Sequence, residues 1–155
     1  MFEPFMEIIG ADICESAINF GLFDSQGGVL QAKKQKAPNP MMPGALTVAI
    51  CEGIGEIDPK IQAGFVGIFL SAEIDILGRV VKRHRFASGW IQVPLAEWLE
   101  ARLKREVILF TKVNGESLSK KVDFSVLGKE SLYLKPVRQA FNRLTGFDSS
   151  HLEEM

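Results

Sequence analysis

MEIIGADICESAINFGLF, residues 6–23, reads as two strands joined by a tight turn. Met6–Ile13 is apolar except for Glu7 and Asp12, and it is rich in the residues that suit a pleated sheet. Cys14-Glu15-Ser16 forms the turn, and Ala17–Phe23 alternates around Asn19 before a second turn at Asp24–Gly28. Asp12 sits near the end of the first strand, where an open sheet presents a side chain to a cleft.

Working outward, Val29–Ala37 (VLQAKKQKA) is a third strand, an exposed edge protected by its lysines. Pro38–Pro43 is a loop. From Gly44, the residues Leu46, Ala49, Ile50, Ile54 and Ile57 recur at spacings of three and four, which predicts a helix with one buried face. Asp58-Pro59 stops it. Ile61–Leu70 is short, nearly all apolar and flanked by breakers, so it reads as a strand buried on both faces. Ser71–Gly78 reads as a loop, Arg79–Arg85 as a short strand and Gly89-Trp90 as a break. A second helix follows, with Pro94 in its first turn and Leu95, Trp98, Leu99 and Leu103 on its apolar face. Glu106–Phe110 is another buried strand. Beyond it come an Asn114-Gly115 turn, a strand over Val122–Leu127, a helix over Leu132–Leu144 and a polar tail.

Three meander strands followed by αβαβ give an α/β fold: a mixed five-stranded sheet of order 3-2-1-4-5 with flanking helices. That is the layout of ribonuclease H-like and actin-like ATPase lobes. Residues 1–115 form the α/β domain, and 116–155 are a C-terminal extension whose helix is expected to pack back on it.

Composition narrows the function classes. At 155 residues with a net charge of −1, the chain suits one domain and has no broad basic face for nucleic acid or an anionic membrane. The local basic runs KKQK (33–36) and RVVKRHR (79–85) read as solvated surface. Cys14 and Cys51 lack CxxC spacing and a histidine cluster, which argues against structural zinc and for buried free thiols in a reducing cytoplasm. The N-terminus has no signal-peptide pattern, and no apolar run reaches membrane-spanning length. Trp90 and Trp98 read as core anchors, His84 as an exposed strand residue, and Met41-Met42 as loop packing.

Three segments resemble the N-terminal lobe of ROK-family sugar kinases, the bacterial glucokinase-like group, over Ile8 to about Asn114. They are Ile9–Asp24 (IGADICESAINFGLFD), Gly64–Val80 (GFVGIFLSAEIDILGRV) and Gly89–Val107 (GWIQVPLAEWLEARLKREV). The last is the most specific, similar to the family's G-W-x-x-V-P-L-x-x-W-L-E pattern. The resemblance implies an ATP-phosphate turn after the first strand, a sugar-side loop after the fourth strand, and an Asn-Asp pair after the last one. In that family the Asp of the pair takes the sugar hydroxyl proton.

The chain departs from the family at those positions. Asp12 is retained, but Cys14, Glu15 and Ser16 stand where the family has Gly-Gly-Thr. Small residues there let backbone N–H groups approach phosphates, whereas a carboxylate repels them. Thr111 and Lys112 stand at the Asn-Asp positions, and only Asn114 remains of the surrounding pattern. A protonated lysine is no general base. Phe69–Glu73 replaces the sugar-side loop, while Asp75 and Gly78-Arg79 persist. The resemblance also implies a second lobe, which in the family supplies the adenosine pocket and usually a zinc site; the residues from Asn114 to Met155 are expected to be too few to build it.

The leading expectation is therefore a non-catalytic ROK-like lobe, without cofactor or metal. It would bind as a homo-oligomer or with a protein partner, through the face that the second lobe normally covers. Residual sugar or nucleotide binding is one alternative, with Arg79, His84, Ser88 and Asn114 as the polar groups near the sugar side. A second is a ribonuclease H-like nuclease holding Mg2+ on Asp12, Glu52 and Asp75.

Overall fold

A strand whose side chains alternate direction offers two faces to its surroundings, and the central strands here bury both. The computed structural model describes residues 7–24, 28–84 and 87–111. In chain order the elements are β1 (Glu7–Ile13), β2 (Ala17–Phe23), β3 (Val29–Lys36), α1 (Pro43–Ile57), β4 (Ala63–Leu70), β5 (Ala72–Ile74), β6 (Val81–His84), β7 (Ile91–Val93), α2 (Leu95–Leu103) and β8 (Glu106–Thr111). The main sheet has the order β3-β2-β1-β4-β8. The first three strands are antiparallel neighbours, and β1, β4 and β8 run parallel. This is the arrangement expected from the sequence, with β8 as the fifth strand. The strand and helix expected at 122–127 and 132–144 lie outside the described residues.

Pro43 opens α1, where its fixed φ is an advantage and its missing N–H costs nothing. Leu46, Ile50, Ile54 and Ile57 form the buried stripe. Together with Leu95, Leu99 and Leu103 of α2, they cover one face of the sheet, including Ile9 and Ala11 of β1 and Val66 and Ile68 of β4. Gly53 sets how closely α1 approaches, because a Cβ there would meet the Phe20 ring at 2.2 Å. Pro94 immediately precedes α2, one residue earlier in the cap than expected, and its carbonyl accepts the Trp98 N–H at 3.1 Å. Trp98 is 36% exposed and so is not a core anchor. The smaller Ala96 takes the buried place beside Leu95, whereas Trp90 is buried as expected.

The far end of the sheet is locked by charge. Asp58, the C-cap of α1, accepts N–H bonds from Gln62 and Ala63, both at 2.9 Å, and pairs with Arg105 at 2.5 Å. Both side chains of that pair are almost wholly buried. Burial alone would raise the Asp58 carboxyl, but the backbone donors and the guanidinium outweigh it and hold its pKa below the usual range.

The edges of the main sheet are managed differently. β3 is exposed along most of its length and carries the expected lysines, of which Lys33 pairs with Glu56 at 2.8 Å. On the other side, the residues after β4 close over β8. The Leu109 N–H donates to the Gly78 carbonyl at 2.8 Å, and Arg79 donates to the Val107 carbonyl at 2.7 Å. The segment expected as a loop thus contains β5, which with β6 and β7 forms a second, antiparallel sheet. Three-residue strands such as β5 and β7 are too short for a periodic signal, and Gln92 within β7 takes a positive φ of 54°.

Candidate functional site

Parallel β1 and β4 are adjacent, yet the chain leaves β1 toward β2 on one side and passes from β4 toward β8 on the other. A crevice forms where connections diverge at the carboxyl ends of strands. A cavity of about 280 Å³ occupies that position. Its wall combines Ile13, Cys14 and Glu15 of the first turn with residues 38–42 before α1, Ser71 after β4, His84 of β6, and Ala87 and Ser88.

Local bonds fix each part. The Cys14 N–H donates to the Ala17 carbonyl at 2.8 Å to close the turn, and the Ala37 N–H donates to the Ser16 carbonyl at 3.0 Å. The Trp90 indole N–H donates to the Met41 carbonyl at 2.8 Å, which pins the loop before α1. Met41 packs against the core and Met42 is exposed, and both line the cavity. Asp12 is buried beneath the turn, where the Cys14 thiol donates to its Oδ2 at 3.7 Å and Asn19 Nδ2 donates to Cys14 Sγ at 3.9 Å. Both cysteines are free and half-buried rather than fully buried.

His84 is buried, which corrects its reading as an exposed strand residue. It faces Ala72 in the β5–β6 register and lies against Trp90 with ring centroids 5.1 Å apart. Burial pushes its imidazole pKa down from 6.5, so the neutral form faces the cavity at pH 7. Lys82 and Arg83 are the solvated members of that strand.

The other expected residues are dispersed. Thr111 Oγ1 donates to the Ala72 carbonyl at 3.1 Å, whereas Lys112 and Asn114 lie outside the described residues. Asp75 accepts the N–H groups of Arg79 and Val80 at 2.7 and 2.8 Å, as a turn residue does. Arg79 is not among the described residues that line the cavity. Its guanidinium forks onto Glu100 at 2.7 and 2.6 Å, and this bond, opposed by burial, lowers the Glu100 pKa. Glu52 is exposed on α1, and among the described residues no three His, Cys, Asp or Glu side chains converge on a metal position. Asp12, Glu52 and Asp75 are therefore not brought together. No helix among the described residues is long and apolar enough to cross a membrane.

Chemically, the cavity offers hydroxyls, a carboxamide, a thiol, a neutral imidazole and one carboxylate, Glu15, but no lysine or arginine among its described lining residues. Sequence reasoning missed residues 38–40 as wall residues, since a proline-rich loop carries no signal of what it faces.

The profile of the ROK family matches residues 8–134. The chain belongs to the ROK family. Its fold is similar to that of an inorganic polyphosphate/ATP-glucomannokinase from Arthrobacter sp. strain KM, with 24% identity and a TM-score of 0.62. That match covers 71% of this chain and 46% of the other. A ROK family glucokinase from Streptomyces griseus, solved with glucose and AMPPNP, gives 24% identity and a TM-score of 0.63, over 70% of this chain and 34% of that one. A ROK family transcriptional regulator, a homologue of the E. coli MLC protein, gives 11% identity and a TM-score of 0.55, over 73% and 29%. The chain thus spans less than half the length of each. No curated protein sequence matches it.

Proposed function

We propose that this ROK lobe acts by binding and does not transfer phosphate to a sugar. The observation that carries the reading is Glu15. Glu15 lines the cavity at the turn where the family's phosphate contact is made, with no cationic side chain among the described lining residues to offset it. A triphosphate in that position would meet a like charge, and Cβ atoms at residues 14–16 keep it away from the backbone N–H groups. Thr111, at the position of the family's base pair, spends its hydroxyl on a backbone carbonyl. The proposed partner is a second copy of this chain or another protein, docked at the cavity end of the sheet. The ROK regulator among the similar structures supports the idea that this fold serves proteins other than kinases.

The test is incubation with Mg-ATP and a panel of hexoses. We expect no ADP above the protein-free control and no ATP-dependent rise in melting temperature. Turnover, or an ATP-dependent rise, overturns the reading. Light scattering then measures mass in solution. A concentration-dependent mass above 17.2 kDa supports self-association, and a strict monomer leaves a different protein as the partner.

A second reading, sugar binding without turnover, is favoured by the cavity's Ser71, Ser88 and neutral His84. Hexoses that raise the melting temperature while ATP does not would distinguish it.

A further inference from the structure

The cavity at the carboxyl ends of β1 and β4 carries charge of one sign. Glu15 is in its wall, and Asp12 lies buried beneath the same turn. Other carboxylates of the fold have a cation beside them: Asp58 has Arg105, Glu56 has Lys33, Glu73 has Arg83 and Glu100 has Arg79. Glu15 forms an ion pair with none of the described residues. Lys36, across from Ala17 in the β2–β3 register, is exposed and is not among the described lining residues. Burial favours the neutral ring of His84, so it adds no positive charge to the wall. A concave site lined by one sign of charge focuses its field, which an exposed carboxylate on a helix, such as Glu52, does not.

We propose that the cavity receives a lysine side chain presented by a partner protein, with its methylenes against the apolar wall and its ammonium at Glu15. This names the partner's chemistry for the binding function proposed above, and it rests on that reading. At about 280 Å³ the cavity lies just below the range of roughly 300–1,000 Å³ that encloses a drug-sized molecule, which suits one long side chain. Pro38, Pro40, Met41 and Met42 supply apolar surface for a four-carbon stem, and a lysine buries that stem readily while its head seeks polar partners. An ammonium has three N–H donors and no acceptor. The carboxylate of Glu15 and the hydroxyls of Ser71 and Ser88 are acceptors of matching number in the same wall. The feature that disfavours a phosphate here, a carboxylate without a described cation, is the one that favours an amine.

The test is an NMR titration of the full chain with Nα-acetyl-lysine amide, read at the backbone amides of Glu15, Ser71 and His84. Saturable shifts are expected with this probe, and none with Nα-acetyl-norleucine amide, which keeps the stem and lacks the charge. Glu15→Gln, a change at an exposed position, should leave the fold intact and weaken lysine binding by about three- to fivefold. Absence of saturable shifts, equal shifts with norleucine, or an unchanged affinity in Glu15→Gln would each overturn the proposal. So would hexoses that give the same shifts as lysine, which assigns the cavity to a sugar, or shifts that appear on dilution of the unliganded chain as its mass falls, which assigns it to a second copy. Phosphate transfer is measured separately with Mg-ATP. Turnover there sinks the proposed function, whereas no turnover and no lysine binding sinks this inference alone.

Discussion

The two ends of the main sheet have opposite characters. At one end, Asp58 and Arg105 are buried and paired, and Asp58 also accepts two backbone N–H groups. At the other end lies a cavity with an exposed Glu15 in its wall. The paired end joins the cap of α1 to the starts of β4 and β8, so a change there is felt by three elements at once. The cavity end is built from turns, and on the first of them the side chains of Glu15 and Ser16 are exposed. A fold and the site it carries can vary separately, and the two ends of this sheet offer a way to test that.

The comparison can be broken first at the paired end. Arg105→Ala leaves a carboxylate buried without its cation and should destabilise the fold by about 3–5 kcal/mol, read by urea denaturation. A loss below ~1 kcal/mol would mean that the backbone donors alone hold Asp58. The same pair predicts acid sensitivity. Because the folded pKa of Asp58 lies below its unfolded value, the stabilisation is present above about pH 4 and is lost as pH falls through the folded value. Next in size is Gly53→Ala, which drives a methyl into Phe20 and should cost about 1–3 kcal/mol in the same measurement.

The remaining tests sharpen the cavity side. His84 has a folded pKa below its unfolded value, so its contribution is complete above about pH 6.5 and declines as pH falls toward the folded value. His84→Leu should remove that slope from melting temperature against pH, and an unchanged slope would assign it to other groups. Smallest of all, Glu15→Gly at the exposed turn should change stability by no more than about 0.5 kcal/mol. A larger loss would show that the rim is structural and would weaken the separation of site from scaffold.

Much of the fold was legible because β1, β2, β4 and β8 carry long runs of one kind, and Pro43 and Asp58-Pro59 mark where α1 begins and ends. Trp98 and His84 were misread for a shared reason. Periodicity shows that a residue lies on a stripe or in a strand, but not how wide the stripe is or what packs above the strand. Trp98 sits at the margin of the α2 stripe, and His84 lies against Trp90 in the cavity wall. The second sheet escaped notice because β5 and β7 have three residues each.

The opening hairpin illustrates the division. Its sequence alone determined two strands, a turn at Cys14-Glu15-Ser16 and an acidic residue near the strand end, because side-chain alternation and turn chemistry are local properties. Only the tertiary structure decided that Glu15 would face a cavity, that Asp12 would be buried beneath it, and that Arg79 would be held by Glu100. Those outcomes depend on where distant segments return to the sheet, and sequence spacing does not encode the approach of a partner from elsewhere in the chain.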